Sequence, residues 1–117
     1  MIIRHWNKNQ IADVEDVLSN FPNGGRVLDL GAWDGATKQL FGNKWEWTGI
    51  DVNPVGENVV YGDAHKLKFP DNNFDIVISI AVFEHLHSPW LAINEISRVL
   101  KKGGYFFGTT AFLEPEH

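Results

Sequence analysis

Three carboxylates in this chain stand where short apolar runs give out. Asp29 sits within Val27-Leu28-Asp29-Leu30, just before Gly31, and Gly35 follows four residues on. Asp51 closes Trp45-Glu46-Trp47-Thr48-Gly49-Ile50, and Asp63 follows Asn58-Val59-Val60-Tyr61-Gly62. A carboxylate beside a glycine turn attracts a cation and accepts hydrogen bonds from hydroxyl and amino groups. Acid–base groups cluster in Phe83-Glu84-His85-Leu86-His87. Glu84 and His85 are the candidates for a general base, with His87 and His117 behind them. The spacing of Glu84, His85 and His87 around a loop is poor for ligating a metal, so no metal site is expected.

These groups need a scaffold. Lys8 to Phe21 reads as a helix, with Ile11, Val14, Val17, Leu18 and Phe21 within one third of its circumference. Pro22 and Gly24-Gly25 end it. Val27 to Leu30 is a strand buried on both faces. Ala36 to about Phe41 is a short helix with Asp34 as its cap. Strands over 45–50 and 58–61 are joined by only Val52 to Asn58, so either the crossover is a minimal loop or the third strand is short and displaced; a minimal loop is expected. Asp71-Asn72-Asn73 forms a solvated turn. Asp75 to Ile80 is an almost unbroken apolar strand. Ser88-Pro89 starts a helix over 89–102, with Ala92, Ile93, Ile96, Val99 and Leu100 inward and Gly103-Gly104 as its stop. Tyr105 to Thr110 is the fifth strand. This alternation predicts an α/β fold, a doubly wound and mostly parallel sheet, in one domain over residues 1–117. In such sheets ligands lie beyond the carboxyl ends of the strands, where all three acids fall.

Composition narrows the classes. The chain has 117 residues, no cysteine and a net charge of −5. Disulfides, cysteine-ligated zinc and thiol catalysis are excluded. The acidic balance argues against an extended nucleic-acid surface, and no apolar run approaches a membrane span. The N-terminus lacks the pattern of a secretory signal, so a cytoplasmic protein is expected.

Charge sign then selects among nucleotide-like ligands. A dinucleotide brings a pyrophosphate to the first glycine turn through G-x-G-x-x-G, and this turn lacks that spacing. Asp29 would repel it. S-adenosylmethionine (SAM) carries an ammonium and a sulfonium against one carboxylate, a net positive charge. Unit charges about 4 Å apart attract by roughly 4 kcal/mol at an effective dielectric of 20.

Six ordered blocks make the chain resemble the class I SAM-dependent methyltransferases, of the small-molecule type. They are Val27-Leu-Asp-Leu-Gly-Ala-Trp-Asp-Gly35, Gly49-Ile-Asp51, Gly62-Asp-Ala64, Phe69-Pro-Asp-Asn-Asn-Phe-Asp-Ile-Val77, Phe83-Glu-His-Leu86 and Glu95-Ile-Ser-Arg-Val-Leu-Lys-Lys-Gly-Gly104. The resemblance covers residues 25–110. It implies that Asp29, Gly31, Ala32, Trp33 and Gly35 line the methionine end of the cofactor. Asp51 would hold the ribose and Val52 would lie against the adenine. Asp63 and Ala64 would flank the adenine amine, with Ile80 and Ala81 under the methionine. Trp33 departs from the family, which has its middle glycine there; the ring would cap the sulfonium or crowd it. The family sheet also continues beyond strand five with an antiparallel pair. Here a sheet of about five strands is expected, its open edge paired in a homodimer or covered by a missing C-terminal segment. Two readings follow: an enzyme methylating a small O, N or C acceptor, or a non-catalytic module that binds SAM or docks on a partner.

Overall fold

The computed structural model describes residues 8–80 and 85–109. Its elements run α1 (Lys8–Leu18), β1 (Arg26–Leu30), a 3-10 turn (Ala36–Leu40), β2 (Glu46–Asp51), β3 (Val59–Tyr61), β4 (Phe74–Ile80), α2 (Pro89–Val99) and β5 (Leu100–Thr109). All five strands are parallel, in the order β3-β2-β1-β4-β5. Strand order reverses between β1 and β4, so β1 and its glycine turn stand at the switch point of the sheet.

The two faces of the sheet explain the apolar runs. Leu28, Leu30, Ile50 and Val77 meet Ala92, Ile96 and Val99 of α2 on one face. Val27, Ile76 and Ile78 meet Val14 of α1 and Phe41 on the other. Successive residues of β1 and β4 therefore go to opposite cores, and neither strand has a solvated side. Short loops suffice between parallel strands here: β2 and β3 pair directly across Val52 to Asn58.

Several boundaries differ from the sequence reading. α1 ends at Leu18, and the chain continues to Phe21 through single turns such as Phe21 N–H to the Leu18 carbonyl (2.9 Å). The segment after Gly35 is one turn of 3-10 helix, with Gly35 rather than Asp34 at its cap; Asp34 Oδ1 instead accepts the Ala36 N–H at 3.0 Å. α2 stops at Val99, not residue 102, because Leu100 is already extended (ψ 137°) and enters β5. Gly103 and Gly104 lie inside β5, where Gly103 at φ 76° absorbs a register irregularity against β4. Ile93 is 56% exposed rather than inward. Ser88 occupies the α2 cap position, but its hydroxyl meets His87 Nδ1 at 2.9 Å rather than capping the helix.

The β2–β3 loop is fastened to the glycine turn. Val55 and Gly56 both donate N–H bonds to the Trp33 carbonyl, at 3.1 and 3.0 Å. A side chain at Gly56 would place its Cβ 2.3 Å from the Asp34 carbonyl oxygen, a backbone atom that yields only if the turn moves. Gly56→Ala should therefore destabilise the protein by about 1–3 kcal/mol. A urea midpoint unchanged from wild type would show that the two loops are not in this contact.

Candidate functional site

β1 to β3 deliver their acids to one edge of the sheet. Asp29 pairs across from Gly49, and Asp51 from Tyr61, so the ends of the three strands are staggered side by side. Adjacent strands lie about 4.8 Å apart, so the row from β1 to β3 spans roughly 10 Å. That is the scale of a nucleoside.

Asp29 is fully buried, and among the described residues its Oδ2 has no hydrogen-bond partner. Burial pushes its carboxyl up to about 8; the Thr37 hydroxyl opposes this, and the charges of Asp51 and Asp34 add to it. A carboxyl in this state is a ready acceptor for a cation, which would restore its charged form.

Asp51 does different work. Its Oδ2 accepts the Trp33 N–H at 3.0 Å and its Oδ1 the Asn53 N–H at 2.9 Å. It is therefore the acid that ties the glycine turn to β2. One lone pair on each oxygen remains for a ligand.

The glycine turn holds few donors for an anion. Gly31 and Ala32 both donate to the Ile50 carbonyl at 2.9 Å, and Gly35 donates to the Ala32 carbonyl at 2.8 Å. With Trp33 bonded to Asp51 and Ala36 to Asp34, five backbone N–H groups of this turn are committed inside the protein. The helix that follows is a single 3-10 turn. A phosphate-binding turn needs those donors pointing outward at the start of a regular helix. This one is built for something else.

Trp33 lies at φ 50°, between Gly31 at 70° and Gly35 at 78°. A left-handed backbone costs a non-glycine residue roughly 1–2 kcal/mol, so the turn is strained where a glycine would relax it. The Trp33 side chain is 39% exposed at the mouth of the site. Beneath the turn, the Trp47 ring lies against Gly49 and Gly35; a Cβ at Gly49 would be 2.1 Å from it.

Asp63 is placed by the turn after β3. Its Oδ1 accepts the His65 N–H at 2.9 Å and meets His65 Nδ1 at 2.8 Å. The backbone bond first, and the ring second, hold its carboxyl below the usual range. Ala64 is buried in the α2-side core, so only its backbone faces outward. Val52 is exposed, and Ala32 is buried.

Ile80 ends β4, while Ala81 and Glu84 lie outside the described residues. His85 is exposed and begins the segment leading to α2. Thr37, His65 and Ser79 were not flagged by sequence. Thr37 is buried near Asp29, and Ser79, near the end of β4, is a buried hydroxyl without a hydrogen-bond partner among the described residues. A polar residue inside an apolar strand was the available signal for Ser79. Among the described residues, no group of three or more His, Asp or Glu side chains is arranged to hold a metal, and no helix is long and apolar enough to cross a membrane.

A five-stranded parallel sheet with its reversal of strand order beside β1 defines a Rossmann-like α/β architecture. Residues 28–108 match the methyltransferase domain family, and the chain belongs to that family. It is 35% identical over 104 residues to a fatty-acid O-methyltransferase of Mycolicibacterium smegmatis, covering 75% of this chain and 38% of that protein. It is 32% identical over 98 residues to a phosphatidylethanolamine N-methyltransferase of Cereibacter sphaeroides, covering 69% of this chain and 48% of that one. The solved structure of the YcgJ protein of Bacillus subtilis superposes with a TM-score of 0.69 at 28% identity, covering 86% of this chain and 49% of that chain. The chain thus spans less than half the length of these three relatives.

Proposed function

We propose that this chain binds S-adenosylmethionine and transfers its methyl group to a small O, N or C acceptor. One observation carries the reading: the glycine turn keeps its N–H groups for the protein while an unpartnered carboxyl oxygen lies buried beneath it. An anion finds few donors there, and a cation finds an acid. Family membership supports the same cofactor.

In this reading Asp29 takes the ammonium, directly or through water, with Gly31, Ala32, Trp33 and Gly35 around the methionine end. Asp51 accepts from the ribose hydroxyls and Val52 lies against the adenine. Asp63 and the Ala64 backbone read the adenine amine, and by family resemblance Ile80 and Ala81 are assigned to the methionine. When bound, the cofactor supplies an electrophilic methyl on a good leaving group. The protein's share is then mostly to hold an acceptor in line, where orientation is worth several kcal/mol. Glu84 and His85 follow β4 and are positioned in sequence to take a proton from an acceptor that must lose one. The exposed Phe106 and Tyr105 on the outer strand β5 support pairing with a second copy of the chain.

Isothermal titration with SAM tests the reading. Micromolar-range binding by the folded protein, lost in Asp51→Ala, is the expected result. Preference for NAD over SAM would defeat it. Turnover of SAM to S-adenosylhomocysteine with any acceptor separates the enzyme from a non-catalytic module.

A further inference from the structure

His65 belongs to no role assigned so far, yet it bonds to Asp63 and Ser88 and stacks on His87. Its backbone N–H (2.9 Å) and its ring Nδ1 (2.8 Å) both reach Asp63 Oδ1. On the other side of the ring, Nε2 accepts the Ser88 N–H at 3.3 Å. The ring also stacks on His87, with centroids 4.1 Å apart and planes 11° from parallel. His87 Nδ1 is in turn 2.9 Å from the Ser88 hydroxyl. Because Nε2 receives a proton donor, the ring's own proton sits on Nδ1 and points at the carboxylate. The side chain of His65 is only 13% exposed, whereas that of Asp63 is 45% exposed.

Both bonds fall on the same oxygen of Asp63. Among the described residues no hydrogen bond falls on Oδ2. We propose that His65 is a positioning residue for cofactor selection. By occupying Oδ1 twice it fixes the carboxylate rotamer, leaving Oδ2 free to accept the exocyclic amine of adenine. Through Ser88 and His87 it also anchors this acid to the segment between β4 and α2. A carboxylate on an otherwise solvated turn would sample several rotamers; the imidazole removes that freedom before the ligand arrives, which is preorganisation. The inference rests on the SAM reading above and adds to it the residue that aims the adenine-reading acid.

Two ligands that differ only at that amine provide the test: S-adenosylhomocysteine and its 6-deamino (purine riboside) analogue, which has a hydrogen in its place. His65→Ala should weaken S-adenosylhomocysteine by about tenfold, the scale of one hydrogen bond to a charged group, while changing the 6-deamino analogue by less than about twofold. His65→Asn puts an amide nitrogen near the Nδ1 position and should restore most of the discrimination. His65→Gln reaches the Nε2 position instead and should not. Nitrogen-15 spectra of the wild-type imidazoles should show the Nδ1–H tautomer for His65, a readout independent of any ligand. Equal losses for the two ligands would mean that His65 only supports the fold, and would overturn the proposal. So would unchanged S-adenosylhomocysteine binding in His65→Ala, or an Nε2–H tautomer in the wild type. Wild type that binds neither ligand would overturn the SAM reading and this inference together, whereas binding that ignores His65 overturns this inference alone.

Discussion

Asp29→Asn should make the ligand-free protein more stable at pH 8 and, in the same chain, cost about two orders of magnitude in SAM affinity. Both effects come from one buried carboxyl. Its folded-state value is raised to about 8, first by burial and then by the charges of Asp51 and Asp34, against a partial offset from Thr37. An unfolded aspartate titrates near 3.9. Between those values the native state holds a proton that the unfolded state has released. Stability therefore falls as pH rises from about 4 to about 8, with a slope approaching 1.4 kcal/mol per pH unit. Asparagine has the same shape and no charge, so its stability lacks this slope. The wild-type and variant curves should meet near pH 4 and diverge by a few kcal/mol at pH 8, the variant being the more stable.

Other titrations do not mimic that result. Asp63 and Glu95 are held below their usual values, so their stabilising contributions are present above the unfolded carboxylate range and are lost as pH falls beneath it. Their window lies below that of Asp29, and their contributions cancel in the difference between the two proteins. Urea unfolding of both proteins at pH 5, 6.5 and 8 reads the effect. A constant difference across this range would show that Asp29 is not a strained buried acid. The binding half has a separate cause. A buried carboxylate facing an ammonium is worth roughly 4 kcal/mol in Coulomb energy at an effective dielectric of 20, part of which is offset by desolvation, so a loss of about 100-fold is the expected scale. A site that is destabilising when empty and needed when filled is the pattern of a functional residue.

The sequence disclosed the sheet better than it disclosed what surrounds the sheet. β1, β2 and β4 are legible because strands buried on two faces must be apolar without alternation, and the acids at their ends break that run. The minimal β2–β3 crossover followed from the number of residues between two strands. Local signals misled where a tertiary contact outweighed them. Lys101-Lys102-Gly103-Gly104 has the chemistry of a helix end, yet the edge of β4 recruits Leu100 onward into β5. Ile93 falls on the inward arc by arithmetic, but only Ala92, Ile96 and Val99 of α2 are buried against the sheet and Ile93 is left exposed. His65 carried one unread local signal, its position two residues after Asp63, which suits an aspartate-capped turn. Its link to Ser88 spans 23 residues and has no local signature.

Arg98→Ala should be the most damaging replacement of a partly exposed side chain, because Arg98 fastens the long loop between β3 and β4 to α2. Its Nε meets Glu95 Oε2 at 2.9 Å; Nη1 meets the Phe69 carbonyl at 2.7 Å and Asp71 Oδ1 at 2.9 Å; Nη2 meets the Leu67 carbonyl at 2.9 Å. Glu95 Oε1 completes the clamp by accepting the Leu67 N–H at 2.7 Å. The bond from Arg98 is the largest cause holding the Glu95 carboxyl below its usual value, and Glu95 in turn raises the guanidinium above its own. An ordinary exposed ion pair contributes little, but this fork also satisfies two backbone carbonyls of a loop with no regular structure to pair them. Its removal leaves those carbonyls and Glu95 without their partner at once. We expect Arg98→Ala to lower Tm by more than about 5 °C. Arg98→Lys should recover little of this, since an ammonium cannot reproduce a planar fork of donors aimed at four acceptor groups. The same loop begins with Asp63 and Ala64, so SAM affinity should fall in the variants even at temperatures where they remain folded. A lysine variant as stable as wild type would show that charge alone, rather than the geometry of the fork, holds the loop in place.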